Sequence, residues 1–312
     1  MNRTPVRDLI IILNYNRMML GQIFRLKGGT GNQLFIYFAS LMSHKTSGKP
    51  VYLETSALYL ADTKRENSLS LFKLPAEIKY LKFSDLKSSL IRFAIYFTRK
   101  TGIKVGNIIY TPTEVGYCDT IASDSNKYAY IDGYFQTWRY FHAVIENYPD
   151  WQLQLKQESE IFRSFANRIE IEDPIIIHVR RGDYKSLGNT FGLLSQEYFI
   201  NAIKRLISKE GSDNVWAFSD DPEYVRENFK DIDIQCFPEL EASLSQEEVL
   251  VLMSKGKRLI ISNSTFSWWA AAFAGLNASV IAPTPWFRNL SAPRDLLPHE
   301  WLTENALWSS SN

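Results

Sequence analysis

Two cysteines and four histidines are few for a chain of 312 residues. Cys118 and Cys236 lie far apart and form no CxxC pair, so they read as free thiols of a reducing compartment rather than as a disulfide framework. The histidines fall at no metal-ligand spacing. An excess of charge of one sign is missing too. A net charge of +1 argues against a bulk nucleic-acid binder, which carries a strong basic excess. Long apolar runs are absent, and none approaches the roughly 20 residues of a membrane-spanning helix. The stretch Leu9–Leu13, after Arg3 and Arg7, is too short even for a signal-peptide core. These absences point to a cytoplasmic protein. Residues 1–20 precede the first clear βα unit and read as an extension or a misassigned start, with Met18 or Met19 as the alternative first residue.

Several catalytic signatures are also missing. Neither GxGxxG nor GxxxxGK[ST] occurs, which removes support for a nicotinamide enzyme and for a nucleotide kinase. There is no GxSxG elbow, and no carboxylate pair has a spacing that singles out a glycosidase dyad. The DxD spelling Asp231-Ile-Asp233 opens a strand after a helix, the wrong end of a sheet for a metal site, and reads as a turn.

What is present is an α/β rhythm. Ile23–Leu26 reads as a strand, followed by the turn "KGGTGNQ", an amphipathic helix and the strand "VYL". "YAYIDGYFQTWRYF" reads as strand, turn and helix start, and "QLQLKQESEIFRSFANRI" as a helix linking two halves. Strands are then expected at Ile175–Val179, Val215–Phe218, "IQCF", "RLIIS" and, last, "SVIAP". Helices between them start at Ser195, Pro222, Ser245 and the "STFS" turn. Such alternation implies parallel sheets covered on both faces, arranged as two Rossmann-like halves with a cleft between them. The stretch 86–113 carries Lys87, Arg92, Arg99, Lys100 and Lys104 and no acid. It reads either as a basic amphipathic helix in peripheral contact with a membrane surface or as a domain helix with a solvated basic edge.

Ligands of open α/β sheets bind at the carboxyl ends of strands. The tip of the Ile175–Val179 strand delivers His178, Arg180, Arg181 and Asp183. Arginine keeps its charge, and its planar fork matches phosphate oxygens, so a diphosphate is the simplest partner; a structural pair such as Arg181–Asp183 is the alternative. Ser264, Thr265, Phe266 and Ser267 open a helix whose first-turn N–H groups suit an anion, or serve ordinary capping. Trp268 and Trp269 are adjacent on that helix, so one is expected in the core and the other at the cleft. Asp220 and Asp221 follow another strand and suit ribose hydroxyls, a guanine edge or a helix cap. Gly28, Gly29 and Gly31 permit a tight turn close to a ligand, and Asn32 sits where its amide can point into the cleft.

Taken together, "GGTGNQLFIYFAS", "DGYFQTWRYF", "HVRRGDY", "FSDDPEYV" and "SNSTFSWWAAAFA" resemble the α-1,2-fucosyltransferases of glycosyltransferase family 11 from about Ile23 to Pro283. The resemblance implies a GT-B-like fold, with residues 1–155 as an acceptor-side Rossmann-like domain and residues 156–312 as the GDP-sugar-binding one. It implies GDP-β-L-fucose as donor and inverting transfer to the 2-hydroxyl of a terminal β-galactose on an oligosaccharide or lipid-linked glycan, without cofactor or metal. By the same resemblance Arg180 binds the β-phosphate, Asn32 reaches the donor, Ser264, Thr265 and Phe266 hold phosphate, and Asp220 or Asp221 contacts the nucleoside. Asp183 is the candidate base, with a structural ion pair or a donor phosphate in that role as alternatives. Thr30 and Ile36 depart from the leucine and glutamine common in the family.

Overall fold

The computed structural model describes residues 21–59, 66–82, 96, 109–112, 114–123, 128–182, 184–211 and 213–309. The expectations for residues 1–20, for nearly all of the basic stretch 86–113 and for Asp183 fall outside them. The chain divides into two compact units. One comprises residues 1–70, 74–151 and 293–296, the other residues 71–73, 152–292 and 297–312.

The first unit holds five strands: β1 (Gln22–Arg25), β2 (Val51–Glu54), β3 (Lys79–Leu81), β4 (Ile109–Tyr110) and β5 (Tyr130–Ile131). They are all parallel in the order β3-β2-β1-β5-β4. The helix Thr30–Ser47 starts within the glycine-rich turn, before the apolar run begins, and buries most of its length, including Leu34, Phe35, Ile36 and Phe38. The helix Trp138–Ile145 is capped by the Thr137 hydroxyl, which accepts from the Arg139 N–H.

The second unit holds β6 (Ile175–Val179), β7 (Val215–Ser219), β8 (Ile234–Cys236), β9 (Arg258–Ile260), β10 (Ser279–Thr284) and β11 (Leu302–Asn305). These also run parallel, in the order β11-β10-β9-β6-β7-β8. Counted from β8, this is the 3-2-1-4-5-6 order of a dinucleotide fold. Every residue of β6 and β7 is buried, as sheets covered on both faces require. The helix Gln196–Glu210 lays Tyr198, Phe199, Ala202, Ile203 and Leu206 against that sheet as one apolar stripe.

The α/β reading holds in both units, with four local corrections. The last strand is β11 rather than "SVIAP"; its alternate exposure marks an edge strand, and no buried run announced it. "QLQLK" is extended, with Leu155 bridging to Phe72, and the helix begins only at Glu160, capped by Ser159. Ser195 occupies the N-cap position, yet its Oγ is buried with no hydrogen-bond partner. Trp268 and Trp269 are both fully buried. Their helix is covered on two sides: Trp268 meets Trp301 and Trp269 stacks on Phe273. Among the described residues no helix is long and apolar enough to cross a membrane.

Candidate active site

In the second unit the strand order reverses between β6 and β9, and a crevice opens at the carboxyl ends of the strands flanking such a switch point. Three chain segments end there side by side: His178 to Gly182 from β6, Ser219 to Asp221 from β7, and Ser262 to Ser267 after β9. Residues scattered over 90 positions thus meet at one sheet edge.

Ser264 caps the helix Thr265–Phe273 by accepting from the Phe266 N–H at 3.3 Å. Its first turn faces the switch point with the positive end of the helix dipole. His178 ties β6 to this turn. Its Nδ1 lies 2.8 Å from Ser262 Oγ, and its ring packs against Phe266 at 5.6 Å. Ser262 Oγ in turn lies 3.3 Å from Ser267 Oγ, which donates to the carbonyls of Ser262 and Ser264. Carbonyls only accept, so the Ser267 proton belongs to them; Ser262 then donates to Ser267 and accepts from Nδ1–H. That assignment leaves Nε2 with its lone pair. Burial, helped by the Arg180 charge, pushes the imidazole down to about 3, so His178 is neutral at working pH.

The two arginines that look alike in sequence have different surroundings. Arg180 reaches Asp220 Oδ2 at 2.9 Å and keeps about a quarter of its side chain (26%) in solvent. The Arg181 guanidinium carbon lies over the Tyr224 ring, 3.3 Å from its centre, with its Nε 3.7 Å from Asp221, while its backbone N–H donates to Asp220 Oδ1 at 2.8 Å. Arg180 is therefore the more open cation, and Arg181 is stacked into the loop that presents it. A Cβ at Gly182 would sit 2.3 Å from Asp220 Oδ2, so a larger residue there must push that carboxylate aside. Asp221 caps the helix Pro222–Asn228 through the Tyr224 N–H and accepts from Lys185 at 2.7 Å, which lowers its pKa. The Tyr184 hydroxyl donates to the Asn263 carbonyl, and the Asn263 amide donates to the carbonyls of Phe191 and Gly192, so the loop after β6 is fastened to the turn after β9.

The first unit has its own carboxyl edge. Gly28 takes φ +76, and Gly29 is the N-cap of the helix Thr30–Ser47. Gln33 is consumed structurally: its amide donates to the Gly28 and Glu66 carbonyls and its oxygen accepts from the Ser68 N–H. Asn32 instead is oriented by Gln136, whose Nε2 donates to Asn32 Oδ1 at 2.8 Å. Gly31 is buried one residue before it. Beside them, at the end of β5, the fully buried Asp132 pairs with Arg25 at 3.3 Å and with Lys27.

His178, Arg180, Arg181, Asp220, Asp221 and the Ser264–Ser267 turn thus share one edge of the second unit, while Gly29, Gly31 and Asn32 lie at the corresponding edge of the first. Asp231 and Asp233 precede β8 and so lie at the opposite, amino end. Among the described residues no three His, Cys, Asp or Glu side chains gather as metal ligands. Sequence reasoning missed Ser262, Gln136, Asp132 and Glu239. For two of them a strand signal existed, since Ser262 closes the expected strand "RLIIS" and Asp132 follows β5, while Gln136 lies in the segment between that strand and the next helix. Glu239, on the short helix Pro238–Glu241 after β8, had only its position after a strand.

A model of glycosyl transferase family 11 matches residues 110–305. An α-1,2-colitosyltransferase of Escherichia coli is 32% identical over 179 residues, which span 54% of this chain and 60% of that enzyme. The chain thus spans less than two thirds of that relative's length. The O-antigen biosynthesis glycosyltransferase WbnK, also of Escherichia coli, is 27% identical over 289 residues, 84% of this chain and 93% of its own. Among solved structures, the α-1,6-fucosyltransferase NodZ soaked with GDP-fucose aligns with a TM-score of 0.42 at 13% identity, covering 80% of this chain and 91% of its own.

Proposed function

The chain belongs to glycosyl transferase family 11, and from that premise we propose that it transfers L-fucose from GDP-β-L-fucose to the 2-hydroxyl of a terminal β-galactoside, with inversion and without a metal. The observation that carries this reading is that Arg180, which follows β6, and the capped start of the helix Thr265–Phe273, which follows β9, stand at the carboxyl ends of two neighbouring strands. A fixed cation and a helix amino end together suit a pyrophosphate.

The step is an in-line displacement. The acceptor oxygen forms a bond to the fucose anomeric carbon while the bond from that carbon to the β-phosphate oxygen breaks, and the bonding pair leaves with GDP. Arg180 and the helix start stabilise the charge that grows on the departing diphosphate, help of the order of 3–4 kcal/mol per well-placed donor. With fixed cations in that role no metal is required. His178, neutral and bonded to Ser262, holds the helix start in register with β6. The hydroxyl proton goes to the Asp183 carboxylate or to a phosphate oxygen of the donor. Asp220 or Asp221 contacts the nucleoside.

A second donor is favoured by one observation, the name of the colitosyltransferase relative. Colitose is L-fucose without its 3-hydroxyl, so the same diphosphate site serves both. The test offers GDP-fucose, GDP-colitose and GDP-mannose with lactose and with Galβ1-3GlcNAc, with and without EDTA. Fucosyl product formed equally in EDTA supports the reading. Product from GDP-colitose alone moves the chain to the second donor. GDP binding without any product makes it a nucleotide-binding protein.

A further inference from the structure

The sheet edge of the second unit continues past Asp220. After β8 the chain turns into Pro238–Glu241, and the Glu239 carboxyl folds back over the end of β7. Its Oε1 accepts the Ser219 N–H at 3.1 Å, while its Oε2 is shielded from water and meets no donor. A buried carboxyl oxygen with no partner calls for a physical explanation. Burial, with the Asp220 charge adding to it, raises this carboxyl to about 8. On its own helix Glu241 pairs with Arg168, and on the neighbouring helix Pro222–Asn228 Glu223 pairs with Arg226.

The strand order gives this carboxyl a direction. The helix start follows β9, Arg180 follows β6, Asp220 follows β7 and Glu239 follows β8, in adjacent order. Three strand spacings of about 4.8 Å cover roughly 14 Å. A nucleoside diphosphate lying along that edge, with its phosphates at β9 and β6, passes its ribose by Asp220 and brings its base to Glu239. Guanine carries two parallel donors on one edge, N1–H and N2–H, and a carboxylate accepts both. The last torsion of a glutamate is broad, so the carboxyl can turn to meet them. Adenine has an acceptor at N1 and lacks this pair.

We infer that Glu239 is the residue that selects guanine in the donor nucleotide, accepting the N1–H and N2–H of the base. This rests on the reading of the donor as a guanosine diphosphate sugar. Because guanine favours the ionised carboxylate, binding expels the proton that Glu239 holds near neutral pH. GDP affinity therefore rises with pH from 6 toward 8 and levels off above it.

The test is titration calorimetry of GDP, IDP and ADP into the wild-type chain and into Glu239→Gln. The wild type is expected to bind GDP best, IDP less well and ADP least. In Glu239→Gln, GDP affinity falls roughly 10- to 100-fold and the GDP-to-ADP ratio collapses. If Glu239→Gln binds GDP as the wild type does with an unchanged ratio, the inference is overturned while the donor reading stands. If the wild type binds no GDP, both fall. Should the variant not fold, the wild type still decides. Repeating the GDP titration at pH 7 in two buffers of different ionisation enthalpy is expected to show release of up to one proton per GDP, and no release overturns the inference.

Discussion

Replacing Arg180 by alanine separates stability from function. The Arg180–Asp220 pair is 2.9 Å long, with 26% and 25% of the two side chains exposed. Partly solvated pairs of this kind contribute about 0–1 kcal/mol to folding. Asp220 is not left bare, because it still receives the Arg181 N–H at 2.8 Å. The expected loss of stability is thus at most about 1 kcal/mol, a few degrees in Tm for units of this size. The catalytic loss is larger. A donor removed from charge that develops on a leaving group costs about 2.7–4 kcal/mol, or 10²- to 10³-fold in kcat. Arg180→Lys keeps the charge but not the fork, and is expected to fall between the wild type and alanine. The assay is kcat/KM with GDP-fucose and lactose, paired with thermal unfolding of each variant. An Arg180→Ala protein within threefold of wild-type kcat/KM would refute the leaving-group role.

Three further outcomes follow from the same geometry. Gly182→Ala forces the Asp220 carboxylate away from a Cβ otherwise 2.3 Å distant, loosening Arg180; a misplacement approaching 1 Å predicts up to about 100-fold lower kcat/KM with little change in Tm, and unaltered kinetics count against the proposed packing. Trp268→Ala empties a fully buried site and is expected to cost about 3–5 kcal/mol in denaturant unfolding, whereas a loss under 1 kcal/mol would place that ring outside the core. His178 is held neutral down to about pH 3, so no ionisation of this residue shapes kcat/KM between pH 5 and 8. The unfolded chain binds a proton here near pH 6.5 and the folded one does not. Stability therefore falls on acidification from about 6.5 toward 3, by up to roughly 1.4 kcal/mol per pH unit, and His178→Asn is expected to flatten that slope. A variant with the same acid sensitivity would show that the loss arises elsewhere.

Much of the second unit was legible because its signals are local. The apolar run Ile175–Val179, the proline at Pro222 and the Ser245 cap with Glu248 each act within a few residues, and each element appears where expected. The positions of Arg180, Asp220 and Ser264 at strand ends followed from the same reasoning. Illegible features depended on what lies across from a residue. Nothing in "RR" tells which guanidinium stacks on Tyr224 and which stays open beside Asp220. Nothing in "SWW" tells that both faces of the helix are covered. The edge strand β11 alternates in burial and is too polar to announce itself. Glu239 acquires an unpartnered oxygen only because β8 lies beside β7 and aims its loop at Ser219.

By itself the sequence determined the α/β class, the residues that follow β6, β7 and β9, and the presence of fixed cations and a capped helix start. These depend on periodicity, turn chemistry and charge, which are carried by neighbouring residues along the chain. Only the tertiary structure decided that β9 lies next to β6, because strand order is set by how crossover helices pack, and a chain pattern does not encode that neighbourhood. That one adjacency brings His178 to Ser262, and it makes a single edge out of segments that are more than 80 residues apart.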